Sequence, residues 1–247
     1  MHEEGRGEDF CSDEDPHATH EDNGQSVGMR TQPPSKRIRI FMNGLSLELP
    51  TGENMIQTIG VIGAGQMGNG IAQVAACAGY DVVMIDIKDE YVEKGLGTIQ
   101  FSLGKLVSKE RMTQADADAA LARIKTGTDR SMCADCDLVV EAVPEVLSLK
   151  QDIFTELDSI CKPETILASN TSSISITTIA ASTQRPEKVI GMHFMNPVPI
   201  MKLVEIINGA QTSEATNSAV VEAAETMSKT ALSVSYTHLR AHETNSH

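Results

Sequence analysis

Three glycines spaced Gly63-x-Gly65-x-x-Gly68, within GVIGAGQMGNG, are followed by an acid, Asp86, that closes the next apolar run eighteen residues after the last of them. At a strand-to-helix turn, the first glycine permits a tight bend and the second lets the backbone approach a pyrophosphate. The third lets helix and strand pack closely. The helix that follows would turn free N–H groups and a partial positive charge toward the phosphates, with Gln66 and Met67 as further candidate cofactor-binding positions of the cradle. Asp86 would accept hydrogen bonds from a ribose diol and repel a 2′-phosphate, which favours NAD over NADP. A glycine turn without nucleotide is the bland alternative; the spacing to Asp86 weighs against it.

A second stretch, ASNTSSISI from Ala168 to Ile176, sets five hydroxyl side chains and one amide between apolar runs. Such a cluster can cap a helix, because Ser and Thr are favoured at the N-cap, or it can hold a polar substrate. Ser173 is expected to cap a helix beginning near Ile174.

The elements that must position these groups alternate. MIQTIGVIG reads as a strand, and QMGNGIAQVAACAGY as a helix with Met67, Ile71, Val74 and Ala75 on one face. DVVMIDI is a continuous apolar run, as in a strand buried on both faces of a parallel sheet. Helices are expected over 90–109 and 113–124, the second opened by Thr113 with Asp116 three residues on. Strands DLVVEAV, TILAS, KVIGMHF and MKLVEII follow, with helices at 146–161, 174–182 and 214–229, and Pro197 and Pro199 set a rigid turn. Repeated βα alternation predicts an α/β, Rossmann-type, doubly wound, mostly parallel sheet.

The chain has 247 residues, 40% of them hydrophobic, enough for one full domain. Its net charge of −14 is uneven: residues 1–28 carry nine carboxylates against one Arg, and no basic patch calls for nucleic acid. No apolar run suits a membrane span. Five cysteines include one close pair, Cys133 and Cys136, without the further ligands a zinc site needs, so no metal is expected and the thiols read as reduced, in a cytoplasmic protein. Residues 1–54 read as a disordered, non-native leader, residues 55–233 as the folded domain, and residues 234–247, beginning VSYTHLRAHET, as an adapter-derived tail.

By residue type alone, His193 in an apolar strand reads equally as a core histidine, and Glu205 as the outward position of an edge strand. The runs IGVIGAGQMGNGIAQVAACAGYDVVMID, DLVVEAVPE, SNTSS and GMHFMNPVPIMKLVEII together resemble the NAD-binding domain of the short-chain 3-hydroxyacyl-CoA dehydrogenases. The resemblance covers about Met55 to Ser233. It implies NAD-dependent, reversible oxidation of a (3S)-3-hydroxyacyl-CoA, foremost 3-hydroxybutyryl-CoA, to the 3-oxoacyl-CoA, in fatty-acid or butyrate metabolism. It places the catalytic histidine on His193, its paired glutamate on Glu205 and the catalytic serine on Ser172. It also puts Asn170 near nicotinamide and substrate, Glu141 near the nicotinamide ring, and Ser102 and Lys109 on the CoA moiety. The family's second, all-helical domain finds no match here; the homodimer implied for full-length members is not expected to carry over, and this fragment could be inactive. Dehydrogenases of the 3-hydroxyacid or 6-phosphogluconate type, which use a lysine instead, fit less well than the His193–Glu205 pair. A non-catalytic, crystallin-like NAD-binding protein is the alternative of a different class.

Overall fold

The computed structural model describes residues 38–42, 45–49 and 56–234. Of these, 38–42 and 45–49 belong to one unit and 56–234 to another. In the first, β1 (Ile38–Met42) and β2 (Leu45–Leu49) pair antiparallel, with Ile38 opposite Leu49. These ten residues fall within the stretch 1–54 expected as a leader. LSLEL alternates strictly between apolar and polar, a local strand signal that the acidic composition of the whole leader hides. The remainder of the expected leader lies outside the described residues.

The second unit opens with β3 (Thr58–Ile62), α1 (Gln66–Cys77), β4 (Asp81–Ile85), α2 (Asp89–Ser108), α3 (Gln114–Ala122) and β5 (Ile124–Gly127). It continues with β6 (Leu138–Glu141), α4 (Leu147–Ile160), β7 (Ile166–Ser169), α5 (Ile176–Ala180) and β8 (Val189–Phe194). The last elements are β9 (Leu203–Asn208), α6 (Glu214–Thr226) and β10 (Thr230–Val234). Eight strands form one sheet in the order β10-β9-β8-β7-β6-β3-β4-β5, parallel throughout except at β8 and β9.

Both faces of the sheet are covered, which is why the central strands read as unbroken apolar runs. Along β3, β4 and β6 the side chains alternate between two cores. Ile59, Val61, Val82, Met84, Leu138 and Val140 pack with α1, α2 and α6 on one side. Ile62, Val83, Ile85 and Val139 pack with α4 and α5 on the other. The chain runs outward from β3 to β5, then returns to β6 and runs the other way to β8. The boundary between β3 and β6 is thus a topological switch point, where the loops leaving the strand ends part and leave a crevice.

Two edge strands escape the sequence reading. β5 is the four residues IKTG, for which no strand was expected because it has no apolar run; the expected helix reached only its first residue, Ile124, and α3 ends at Ala122. β10 is largely exposed, so its TALSV carries no burial pattern, and the boundary expected at Ser233 falls inside it, with Val234 opposite Ile207. The tail from residue 235 lies outside the described residues. Thr113 caps α3 as its spacing predicts, accepting from Asp116 N at 3.1 Å. The cap of α5 is Ser175, not Ser173, because the helix begins two residues later than expected.

Candidate active site

At the switch point, Gly63 adopts φ +105°, and a Cβ there would lie 2.7 Å from the Ala142 carbonyl oxygen at the end of β6. A Cβ on Gly68 would lie 1.7 Å from the Gly63 carbonyl oxygen, so α1 can approach β3 only with glycine at that position. Gly65 differs: nothing lies within 4 Å of where its Cβ would be. It opens α1 without a side-chain cap, and the first turn holds no acid, so the N–H groups there stay available to an anion. Asp86, just beyond β4, accepts from Ala64 N and from Ile87 N, both at 2.7 Å. Each carboxylate oxygen retains a free lone pair for a further donor. Gly63, Gly65, Asp86, Tyr91, Arg130 and Val143 help line a cavity of about 670 Å³, a volume usual for a cofactor site. Glycine cradle, open helix terminus and acid at the cavity wall fit a dinucleotide.

His193 and Glu205 lie outside that cavity. They are direct partners in the antiparallel register of β8 and β9, so their side chains share one face. His193 Nδ1 lies 2.8 Å from Glu205 Oε2, with both side chains partly exposed. A carboxylate can only accept, so Nδ1 carries the proton and Nε2 is left as the basic nitrogen. Asn170 Oδ1 accepts from Phe194 N at 2.8 Å, continuing the β7–β8 ladder by a side chain where the backbone pairing ends. With its oxygen committed, the Asn170 amide presents its NH₂ elsewhere.

The loop after β8 ties this pair to the cradle. Gln66 Nε2 donates to Asn196 Oδ1 at 3.1 Å, and Val198 packs so closely on Gly70 that a Cβ there would lie 2.8 Å away. The Pro-containing turn is closed by Ile200 N and Met201 N donating to Pro197 O. Buried Lys229 holds its far end, donating to Val198 O at 2.6 Å and Met201 O at 2.8 Å.

The family described as 3-hydroxyacyl-CoA dehydrogenase, NAD binding domain, matches residues 58–237. The chain belongs to this family. NAD is the cofactor of the domain. The chain is 57% identical over 174 residues to a probable 3-hydroxybutyryl-CoA dehydrogenase of Deinococcus radiodurans, covering 70% of this chain and 62% of the relative. It is 49% identical to a probable 3-hydroxybutyryl-CoA dehydrogenase of Bacillus subtilis, covering 72% and 62%. Its fold superposes on the crystal structure of (S)-3-hydroxybutyryl-CoA dehydrogenase from Ralstonia eutropha with a TM-score of 0.72 at 49% identity, covering 73% of this chain and 64% of that one. The chain thus spans less than two thirds of the length of these relatives.

Within this 3-hydroxyacyl-CoA dehydrogenase domain, Glu141 ends β6 inside the sheet. It is fully buried, and its oxygens accept from Lys150 Nζ at 2.7 Å, Val143 N at 2.7 Å and Ser169 Oγ at 2.6 Å, so it does not face the cofactor cavity. Met67 is partly buried, its side chain packed against the core. Ser172 is exposed on the loop after β7. Ser102 and Lys109 lie seven residues apart along one side of α2 and its C-terminal cap. Among the described residues, no hydrogen bond or ion pair links either of them to the His193 cluster.

Glu145 and Lys150 escape the sequence reading. Glu145 Oε1 gathers the hydroxyl of Thr171, Ser172 N, Ser173 N and the Ser173 hydroxyl, the last three each at 3.1 Å. Burial, the largest single influence, pushes the Glu145 carboxyl up; the Thr171 hydroxyl, the Lys150 charge and the Ser173 donors together outweigh it and hold it at about 2. Lys150 is 1% exposed. It shares the apolar stripe of α4 with Ile153, Phe154 and Leu157, and a charge at that spacing is the signal that a buried partner must exist.

Proposed function

We propose that this domain serves NAD-dependent, reversible oxidation of a (3S)-3-hydroxyacyl-CoA to the 3-oxoacyl-CoA, with 3-hydroxybutyryl-CoA the foremost substrate. The observation that carries the reading is the 2.8 Å contact between His193 Nδ1 and Glu205. Glu205 fixes the tautomer and stabilises the imidazolium, as the acid does in other His–carboxylate pairs. His193 Nε2 accepts the proton of the substrate's 3-hydroxyl and returns it in the reverse direction. Ser172 donates to the same oxygen and keeps it in line with Nε2. The free NH₂ of Asn170 orients the substrate carbonyl side. Bound NAD supplies the hydride acceptor. Asp86 holds a ribose diol and excludes a 2′-phosphate, and Ser102 and Lys109 contact the CoA moiety.

Mixing the protein with acetoacetyl-CoA and NADH, and following nicotinamide absorbance, tests this. His193→Ala should lower turnover by about a hundred- to ten-thousand-fold while NADH still binds. Unchanged turnover in that variant would remove His193 from the chemistry. NADH binding with no turnover at all by the full-length gene product would favour a non-catalytic nucleotide-binding protein.

A further inference from the structure

We propose that Glu141 is a positioning residue: from inside the sheet it grips the 171–173 loop through two arms, one made by Lys150 and Glu145 and the other by Ser169. The functional weight of this inference rests on the reading of Ser172 given above; the grip itself does not.

Glu141 is the last residue of β6, at the switch point, with Ile62 opposite it on β3 and Ser169 opposite it on β7. Glu141 and Ser169 are both 0% exposed. In the first arm, Glu141 Oε1 holds Lys150 Nζ at 2.7 Å, and Lys150 reaches Glu145 Oε2 at 3.3 Å. A third bond, to Val143 O at 3.3 Å, uses the last of the ammonium's three donors. Glu145 then holds Ser172 and Ser173 by their backbone N–H groups. In the second arm, the Ser169 hydroxyl donates to Glu141 Oε2 at 2.6 Å and accepts from Thr171 N at 3.2 Å. Both arms start on one carboxylate and end on three consecutive residues of one loop.

A purely structural role does not explain this arrangement. Burying a carboxylate and an ammonium carries a desolvation penalty that an apolar pair of similar volume avoids, so ion pairs in a core are poor stabilisers. Here the pair converts a rigid point in the sheet into a fixed position for an exposed loop. Two carboxylates share one ammonium, and the outer one, Glu145, is the one that spends its charge on loop donors.

Two variants and two readouts test the inference. Glu141→Gln keeps the shape and removes the charge; because it strands Lys150, the double variant Glu141→Gln/Lys150→Met removes both charges and guards against simple unfolding. Exchange of the Ser172 and Ser173 amides, relative to those of Ile59 and Val61 in β3, reports the grip without any need for turnover. Both variants should speed loop exchange about tenfold or more while β3 stays protected, and should lower kcat about ten- to a hundred-fold, as small misplacements of reacting groups do. A double variant that melts like the unaltered protein, with loop protection and kcat intact, overturns the proposal. So does a single variant whose loop and β3 amides loosen in step, since that is global destabilisation. A loosened loop with unchanged kcat upholds the grip and instead removes Ser172 from the proposed chemistry.

Discussion

The cofactor cradle and the 171–173 loop sit at the same end of one sheet yet are built in opposite ways. The cradle is made of backbone: three glycines that leave space, a helix terminus that leaves N–H groups free, and one acid whose oxygens meet backbone amides. The loop is made of side chains reaching from β6, α4 and β7 to one point. The glycines of a backbone site answer first to added atoms; a side-chain site answers first to changes of charge. Substitutions that add a methyl group should therefore separate the two regions from substitutions that only change charge.

The largest effect should come from Gly68→Ala. Its new Cβ would overlap the Gly63 carbonyl oxygen at 1.7 Å, and since backbone cannot yield as a side chain does, the cost should be about 3 kcal/mol or more, with NADH binding lost. Gly65→Ala adds the same methyl three residues earlier, into open space. It should melt within about 0.5 kcal/mol of the unaltered protein and still bind NADH more weakly, because the methyl occupies the approach of the pyrophosphate. Equal stability losses in the two variants would mean that the fingerprint serves packing alone. Thermal melts with parallel NADH titrations check both.

Glu205→Gln should come next. It preserves shape across the β8–β9 pair but no longer stabilises an imidazolium, so turnover should fall about a hundred-fold or more with NADH affinity unchanged. A matching loss of NADH affinity would break the division between cradle and chemistry.

The same contrast explains what could be read in advance. Backbone demands leave a fixed spacing in the sequence, so Gly63, Gly65, Gly68 and Asp86 were legible, as were the buried parallel strands whose two-sided burial forces unbroken apolar runs. β5 and β10 were not, because an exposed edge strand carries no such signature. His193 and Glu205 are twelve residues apart, and only the antiparallel register of β8 and β9 brings them together; their roles came from resemblance, not from spacing. Glu141, Lys150 and Glu145 belong to a contact that closes only in three dimensions. The lysine on the apolar stripe of α4 announced a buried partner without saying which one; the fold pairs it with both Glu141 and Glu145.

The smallest predicted effect is also the one that isolates charge. Glu145 titrates at about 2, below its ordinary 4.5, because the loop donors and Lys150 outweigh its burial. A carboxyl whose folded value is depressed contributes stability that is complete above the unfolded value and is lost as pH falls toward the folded one. The Ser172 and Ser173 amides should therefore exchange progressively faster, relative to their intrinsic rates, as pH falls from 4.5 toward 2. The Asn69 amide, held by the Gly65 carbonyl at 2.9 Å, has no titrating partner and should stay level over the same range. Glu145→Gln should start with a looser loop and show no further loosening in that window. If the loop of the unaltered protein were as flat as Asn69, the carboxylate of Glu145 would not be what holds it, and the two regions would not differ in kind.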